Sequence, residues 1–296
     1  MPIEPFVSRY VDLGDGPVHV ADLGGSGSPV VCLHGLGGSY VNWVAAAPYL
    51  TRLGQVLALD LPGFGLSPPA GRSATVSGAR YSLGRYLETL GQPVTLIANS
   101  MGGAVAVRQA AEYPETVDRL VLVSPASPRV AGVALDPLVK ALFAGYALPG
   151  VARVLVAGRR VAVDPAVISR WVLELCLARP ERVAPDVFAQ HVEVAGRRQH
   201  LPGVDGAFIE AARSVVAEVA RRVPYDGRVA AISCPTLVIH GRQDRLVRPE
   251  SSLRLAALRP DWDVRILEDV GHVAMLEVPA TFGTLVHRWA TDAVAA

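Results

Sequence analysis

Short, almost uninterrupted apolar runs alternate with longer helical patterns in the first part of the chain. Four of these runs predict strands, at residues 30–33, 56–59, 94–98 and 120–123. Strands that are apolar on both sides are typical of a parallel sheet covered by helices on both faces. Helical patterns lie between them, at about residues 42–53, 77–90 and 101–113. The alternation therefore predicts an α/β fold with a mostly parallel central sheet.

Strands are also predicted at the start and near the end of the chain, on either side of a long segment with a different pattern. A hairpin is predicted at the start, at residues 6–13 and 18–23, and strands and helices alternate again from residue 236 to 290. The late elements are strands 236–240 and 264–267 and helices 250–258 and 279–290. Between them the pattern is helical and interrupted by prolines. We expect residues 128–232 to form a helical cap inserted after strand 6, over a core made of residues 1–127 and 233–296.

Composition excludes several classes of protein. Apolar residues make up 51% of the chain and charged residues 19%, which excludes a disordered chain. A net charge of +1 argues against a dedicated nucleic-acid-binding protein. No apolar run reaches the roughly 18 residues of a membrane span, and the first residues lack the features of a signal peptide. We expect a cytoplasmic protein with no integral membrane span and leave the oligomeric state open.

A serine follows the predicted strand 94–98 at the start of a helix. Catalytic groups in open parallel sheets lie beyond the carboxyl ends of the strands. Ser100 stands in the run NSMGG at residues 99–103, with Ala98 and Gly102 two positions away on either side. These small neighbours suit a tight strand-to-helix turn. The run resembles the G-x-S-x-G nucleophile elbow with alanine in place of the first glycine, so Ser100 is the predicted nucleophile.

An acid and a histidine follow the last two predicted strands. Asp244 comes after strand 236–240 and His272 after strand 264–267, so the chain order is serine, acid, histidine. A serine hydroxyl is a weak nucleophile at neutral pH and needs an adjacent base. We expect His272 to take its proton and Asp244 to orient the imidazole and stabilise its charged form. Asp269 is a second, less favoured candidate for the acid, and Asp60 is predicted to be structural.

A glycine-rich turn follows strand 30–33, with the sequence HGLGGS at residues 34–39. Backbone N–H groups at Leu36 and Met101 are predicted to form an oxyanion hole, supported by His34, Gly35 and Gly102. The turn lacks the residues of a P-loop or a dinucleotide-binding motif. His191 and His200 have no further ligands at metal-site spacing. We therefore expect neither a cofactor nor a metal.

Taken together, these motifs resemble those of α/β-hydrolase-fold serine hydrolases. They are HG at 34–35, DLPGFGLS at 60–67, NSMGG at 99–103, Asp244 and GH at 271–272. The SMGG run and the ending G-H-x₄-E-x-P, from Gly271 to Pro279, are similar to those of bacterial esterases and monoacylglycerol-lipase-like members. The resemblance implies hydrolysis of carboxylic esters with small to medium acyl chains through an acyl-enzyme, with a small-molecule ester as the partner.

Other activities share parts of this pattern. Carbon–carbon bond hydrolases of ring-cleavage products have the same NSMGG elbow but usually carry Trp after the catalytic His, where this chain has Val273. Cofactor-free haloperoxidases or perhydrolases share the triad. Dehalogenases and epoxide hydrolases usually place Asp at the nucleophile position, so Ser100 argues against them. A non-catalytic binding protein or receptor is the remaining alternative, and the complete set of candidate groups argues against it.

Aromatic residues recur through the predicted cap. Most are expected in its own core and one or two in the acyl pocket; they are Phe143, Trp171, Phe188, Phe208 and Tyr225. Because the segment is apolar and broken into short pieces, part of its apolar surface should face the sheet edge. This predicts a preference for medium-chain esters over acetate.

Overall fold

Eight strands form one sheet in a computed structural model that describes residues 6–295. The strand order is β1-β2-β4-β3-β5-β6-β7-β8. The strands are β1 (Val7–Asp12), β2 (Pro17–Asp22), β3 (Pro29–Leu33), β4 (Gln55–Leu59), β5 (Val94–Asn99), β6 (Val117–Val123), β7 (Thr236–Gly241) and β8 (Asp263–Leu267). β2 runs antiparallel to both of its neighbours, and the pairs from β4 to β8 are parallel. The predicted mostly parallel sheet is confirmed.

The central strands are buried on both faces. In β3, Val31 and Leu33 belong to one apolar cluster, whereas Val30 and Cys32 belong to a second. Successive side chains of a strand point to opposite faces, so the two clusters lie on opposite sides of the sheet. This double burial explains why the central strands are recognisable as apolar runs in the sequence.

Helices cover both clusters. Those of the first and last parts of the chain are α1 (Val41–Val44), α2 (Ala47–Leu50), α3 (Val76–Leu90), α4 (Met101–Glu112), α11 (Glu250–Leu258), α12 (Ala274–Glu277) and α13 (Pro279–Ala295). Helices α3 and α4 contribute to the first cluster, and α1, α2, α12 and α13 contribute to the second. The predicted arrangement of helices on both faces is therefore confirmed.

One predicted helix is wrong. Residues 42–53 form two short helices, α1 and α2, instead of one continuous helix. Pro48 lies in the first turn of α2. Proline has no N–H to donate and its ring clashes with the preceding turn, so a helix that began before Ala45 could not continue through it. The proline marks a helix start and not a helix interior.

The segment between β6 and β7 contains helices and no strand among the residues described there. The helices are α5 (Pro137–Ala147), α6 (Pro149–Ala162), α7 (Pro165–Cys176), α8 (Pro185–Gln199), α9 (Val204–Ala220) and α10 (Arg222–Ala231). Four of them begin with a proline, a position where the missing N–H is not needed. Asp136 and Asp164 accept hydrogen bonds from the first N–H groups of α5 and α7. Prolines thus mark the starts of four of the six helices.

No single helix within residues 6–295 is both long and apolar enough to cross a membrane. The bent pair Pro137–Ala147 and Gly150–Gly158 reaches the required length and hydropathy only when its two helices are taken together.

Candidate active site

Ser100 occupies a sharp turn between β5 and α4. Its backbone lies at φ 54° and ψ −117°, outside the regions that L-residues commonly adopt. The turn is held on both sides: the Ser100 N–H donates to the Val123 carbonyl at 3.0 Å, and the Ser100 carbonyl accepts from the Ala126 N–H at 2.9 Å. A strained residue of this kind persists only where its surroundings determine it, which is common at functional sites.

Two glycines allow the turn to pack closely. A Cβ atom at Gly102 would lie 2.6 Å from the carbonyl oxygen of His34. A Cβ atom at Gly35 would lie 2.9 Å from the Cβ of Ser100. Either contact is too short for a real side chain. The predicted need for small residues around Ser100 therefore has a steric cause, the approach of the turn after β3 to the start of α4.

Asp244 and His272 meet at the carboxyl ends of β7 and β8. The Asp244 carboxylate is fully buried, and its Oδ2 lies 2.6 Å from Nδ1 of His272. A carboxylate only accepts, so Nδ1 carries the proton and leaves Nε2 with a free lone pair. The structure thus pairs the predicted base with the predicted acid Asp244. Asp269, the other candidate, lies at the surface and pairs with Arg179 and Arg182.

The surroundings of Asp244 favour its ionised form. Burial alone would raise the pKa of this carboxyl group. Electrostatic attraction from His272 and hydrogen bonds from His240 and His272 outweigh burial and hold the pKa of Asp244 well below its usual range. The backbone N–H groups of Leu246 and Val247 also donate to Oδ1, at 2.8 and 2.9 Å. Asp244 is therefore a stable anion.

The glycine-rich turn after β3 lies beside the elbow. Leu36 lines the same cavity as Ser100 and Met101. Met101 is the first residue of α4, so its N–H has no partner inside the helix. His34 supports the turn: its Nδ1 donates to the Gly35 carbonyl at 2.7 Å, and its Nε2 accepts from the Leu61 N–H at 3.1 Å. Burial lowers the pKa of His34, which keeps the ring neutral.

Two further polar residues hold the His272 loop, and the motifs did not assign them a role. The Asn99 amide donates to the carbonyls of Val123 and His272, at 3.0 and 3.1 Å. The buried Glu277 accepts from the N–H groups of Gly271 and Arg179, both at 2.7 Å. Glu277 thus joins the loop before His272 to the helical segment, which accounts for the glutamate in the G-H-x₄-E-x-P ending.

A cavity of about 830 Å³ connects these groups. The sheet edge contributes to its walls Gly35, Leu36, Asn99, Ser100, Met101 and His272. The segment between β6 and β7 contributes, among others, Phe143, Tyr146, Leu173, His191, Val194 and Phe208. Within residues 6–295 the Ser100 hydroxyl and the His272 ring make no direct hydrogen bond, and such bonds often tighten only when substrate binds.

The remaining candidates have other surroundings. Phe143 and Phe208 line the cavity and Tyr225 is fully buried, whereas Trp171 is 56% exposed. Asp60 is buried against His19 and accepts from backbone N–H groups, as expected of a structural residue.

The two histidines of the helical segment have different environments. His191 lines the cavity, and burial lowers its pKa to about 4, whereas His200 is exposed at the end of α8. Across the described part of the chain, no group of three or more His, Cys, Asp and Glu side chains is placed to hold a metal ion.

Comparisons with known proteins point to the same fold. A family model described as the alpha/beta hydrolase fold matches residues 28–279. The chain is 31% identical to a 2-hydroxy-6-oxononadienedioate/2-hydroxy-6-oxononatrienedioate hydrolase of Burkholderia vietnamiensis, over 96% of this chain and 95% of that protein. It is 27% identical to Lipase 1 of Psychrobacter immobilis, over 89% of this chain and 77% of the lipase. The crystal structure of Cfl2 from Burkholderia cenocepacia superposes with a TM-score of 0.81 at 22% identity, covering 97% of this chain and 96% of that one.

Proposed function

Because the chain belongs to the alpha/beta hydrolase fold family, we propose that it is a serine hydrolase that cleaves carboxylic esters through an acyl-enzyme. The observation that carries the proposal is the buried pair of Asp244 and His272, whose ring lines the same cavity as the strained Ser100. No cofactor is needed for this chemistry.

In the proposed first step the Ser100 hydroxyl attacks the ester carbonyl. His272 takes the hydroxyl proton on Nε2 and passes it to the leaving alkoxide, so an alcohol departs and an acyl-Ser100 ester remains. Water then adds to the acyl group with the same proton transfers, which releases the carboxylic acid and restores the serine. Asp244 holds the Nδ1–H tautomer and stabilises the imidazolium in both steps.

The negative charge on the oxygen of each tetrahedral intermediate must be stabilised by hydrogen-bond donors. We propose the N–H groups of Leu36 and Met101, since both residues line the cavity beside Ser100. The partial positive charge at the N-terminus of α4 acts in the same direction. His34 serves this arrangement indirectly, by joining Gly35 to the loop that follows β4.

Helices α5 to α10 are proposed to act as a cap that forms the acyl pocket. They contribute the aromatic residues Phe143, Tyr146 and Phe208 to the cavity, and Tyr146 and Phe208 pack edge to face at 5.3 Å. A largely apolar wall favours an acyl chain over a polar group. The cap is taken to span residues 128–232, over a core of residues 1–127 and 233–296.

A second candidate is carbon–carbon bond hydrolysis of ring-cleavage products. It is favoured by the name of the relative from Burkholderia vietnamiensis and by a 2-hydroxy-6-oxo-2,4-heptadienoate hydrolase of Pseudomonas putida, 29% identical over 95% of this chain. Val273, in place of the Trp that usually follows the catalytic His in such enzymes, argues against it. We therefore place ester hydrolysis first.

The nucleophile is tested by covalent labelling. A fluorophosphonate probe should modify Ser100 and no other residue, with the adduct located by peptide mass spectrometry. Ser100→Ala should remain folded, resist the probe and lose several orders of magnitude in rate. Labelling at another serine, or full activity of Ser100→Ala, would contradict the proposal.

The reaction is tested by comparing substrates. The wild-type enzyme should turn over p-nitrophenyl esters steadily, beyond one equivalent, which a binding protein would not do. In parallel, a 2-hydroxy-6-oxo-dienoate is offered and the loss of its conjugated absorbance followed. A kcat/KM that is higher for the dienoate than for every ester would favour the second candidate instead.

A further inference from the structure

His240 lies on β7, one residue before the end of the strand, and its ring is fully buried. Both ring nitrogens contact polar atoms. Nε2 lies 2.9 Å from the Val247 carbonyl oxygen and 3.0 Å from Oδ2 of Asp244. Nδ1 lies 2.7 Å from the hydroxyl of Ser252. The motifs that predicted Asp244 and His272 give no reason for a histidine at this position.

These neighbours determine where the ring carries its proton. The Val247 carbonyl and the Asp244 carboxylate only accept hydrogen bonds, so Nε2 must carry a proton, and its single N–H is shared between these two acceptors. In the neutral ring, Nδ1 is then an acceptor, and the Ser252 hydroxyl donates to it. His240 therefore presents the N–H group of Nε2 to Asp244.

The bond from His240 completes the hydrogen bonding of Asp244. Oδ1 accepts from two backbone N–H groups, and Oδ2 accepts from Nδ1 of His272 at 2.6 Å. Oδ2 also lies 3.0 Å from Nε2 of His240, whose N–H it shares with the Val247 carbonyl. An ionised carboxylate has about four lone-pair sites, so each is used. Without the second donor, Oδ2 has His272 as its only side-chain partner, and one site of a buried anion is left unpaired.

We propose that His240 is a positioning residue, an inference that rests on the proposed function: its Nε2–H holds Oδ2 of Asp244 against His272. His240 is not among the described residues that line the cavity, so it acts through Asp244 and not on substrate. The imidazolium of His272 forms only as the reaction proceeds. If Asp244 is held less firmly, the counter-charge to this imidazolium is less well placed. Loss of the His240 N–H should therefore lower kcat and leave KM unchanged.

Two amide variants separate this role from simple space filling. In His240→Gln the amide nitrogen can reach the place of Nε2 and donate to Asp244. In His240→Asn the shorter amide reaches only the place of Nδ1, beside Ser252. We expect His240→Asn to lower kcat on p-nitrophenyl butyrate by about 10- to 100-fold with KM unchanged, and His240→Gln to restore most of it.

The rate of fluorophosphonate labelling of Ser100 is measured as well, since it depends on His272 and Asp244 whatever the natural substrate is. It should fall with kcat in His240→Asn. Ile239→Val is the matched control, because Ile239 is the adjacent buried residue of β7 and belongs to the cluster on one face of the sheet. This control should label at the wild-type rate. Ser252→Ala, which keeps the ring but removes the hydroxyl that donates to its Nδ1, should slow labelling less than His240→Asn.

Equal labelling rates in His240→Asn and His240→Gln would overturn the positioning role, whether both match the wild type or both are impaired. A rise in KM with unchanged kcat would also overturn it. If neither variant folds, wild-type kcat and labelling in Ser252→Ala would overturn it, and a loss of kcat there would support it. Failure of the wild-type enzyme to label at Ser100 would instead contradict the proposed function itself.

Discussion

At the scale of the residue, the candidate site consists of single side chains that follow strands. Ser100, Asp244 and His272 could be predicted because each lies within a few residues of the end of a strand, and a parallel sheet brings such positions to one edge. His240 could not be predicted in the same way. It lies inside a buried strand, where a histidine gives no signal until its contacts with Asp244 and Ser252 are known.

The Asp244→Asn variant is expected to lose activity. An asparagine amide presents either a donor or an acceptor to His272 and no charge, so the Nδ1–H tautomer and the imidazolium lose their support. We expect kcat to fall by about a thousandfold to ten-thousandfold, measured with p-nitrophenyl butyrate at pH 7.5. Asp269→Asn is the matched control and should keep wild-type kcat, since Asp269 pairs with arginines at the surface. Equal losses in the two variants would contradict the assignment of the acid.

The same carboxylate should make stability depend on pH. The pKa of Asp244 in the folded protein lies below the unfolded value of about 3.9. Its contribution to the free energy of unfolding is therefore fully present above about pH 4 and is lost as the pH falls through the folded pKa. The difference in unfolding free energy between wild type and Asp244→Asn, measured by urea denaturation, should be largest at pH 6–7 and narrow toward pH 3. A difference that stays constant over this range would contradict the assignment.

At the scale of the element, the strands were the most predictable part of the fold. The apolar runs in β3, β4, β5 and β6 are visible because both faces of these strands are buried. Helix α12 was not predicted, since it has four residues and no period to detect. The close approach of the β7 end to the His272 loop was also invisible: a Cβ atom at Gly241 would lie 2.0 Å from the Gly271 carbonyl oxygen. That contact depends on two elements that are distant in sequence.

Glu277 joins two such elements, so its substitution should affect both stability and rate. In Glu277→Gln one oxygen becomes an NH₂ group, and either the Gly271 or the Arg179 N–H loses its acceptor. An unsatisfied buried N–H costs about 1–3 kcal/mol. We expect a lower Tm in thermal unfolding and slower fluorophosphonate labelling, because the His272 loop is less firmly held. Glu268→Gln, at an exposed surface pair, is the control and should change neither quantity. Identical behaviour of the two variants would show that Glu277 does not hold the loop.

At the scale of the whole molecule, the cavity lies between two parts of the chain that are far apart in sequence. The sheet edge supplies the chemical groups, and helices α5 to α10 supply most of the apolar wall. Sequence patterns predicted the first part residue by residue. They identified the second only as a helical segment interrupted by prolines, because the direction in which Phe143 or Phe208 points depends on how the helices pack. We therefore expect substrate size to be determined by the part of the chain about which the sequence is least informative.

Because the cavity wall is largely apolar, we expect kcat/KM to depend on the length of the acyl chain. Each buried methylene contributes about 0.8 kcal/mol, or roughly fourfold in kcat/KM when the transition state feels it. From acetate to hexanoate the gain should approach about 3 kcal/mol, reduced where burial is incomplete. The measurement is kcat/KM for p-nitrophenyl acetate, butyrate, hexanoate, octanoate and palmitate. A profile that is highest at acetate and falls with each added carbon would show that the pocket is short, contrary to the proposed cap.

A substitution of Phe208 tests which part of the cavity wall determines the preferred length of the acyl chain. It lines the cavity, packs on Tyr146, and lies so close to the turn after β3 that a Cβ atom at Gly37 would be 3.2 Å from its ring. Phe208→Ala should enlarge the cavity that Ser100 also lines and move the preferred ester to a longer acyl chain, with the rate on acetate falling as packing is lost. Trp171→Ala, at a largely exposed position of α7, removes a comparable aromatic ring outside the cavity wall and should leave the profile unchanged. If both variants shift the dependence of kcat/KM on acyl length equally, the change reflects loosening of the helical segment as a whole. Phe208 would then not determine the preferred acyl length.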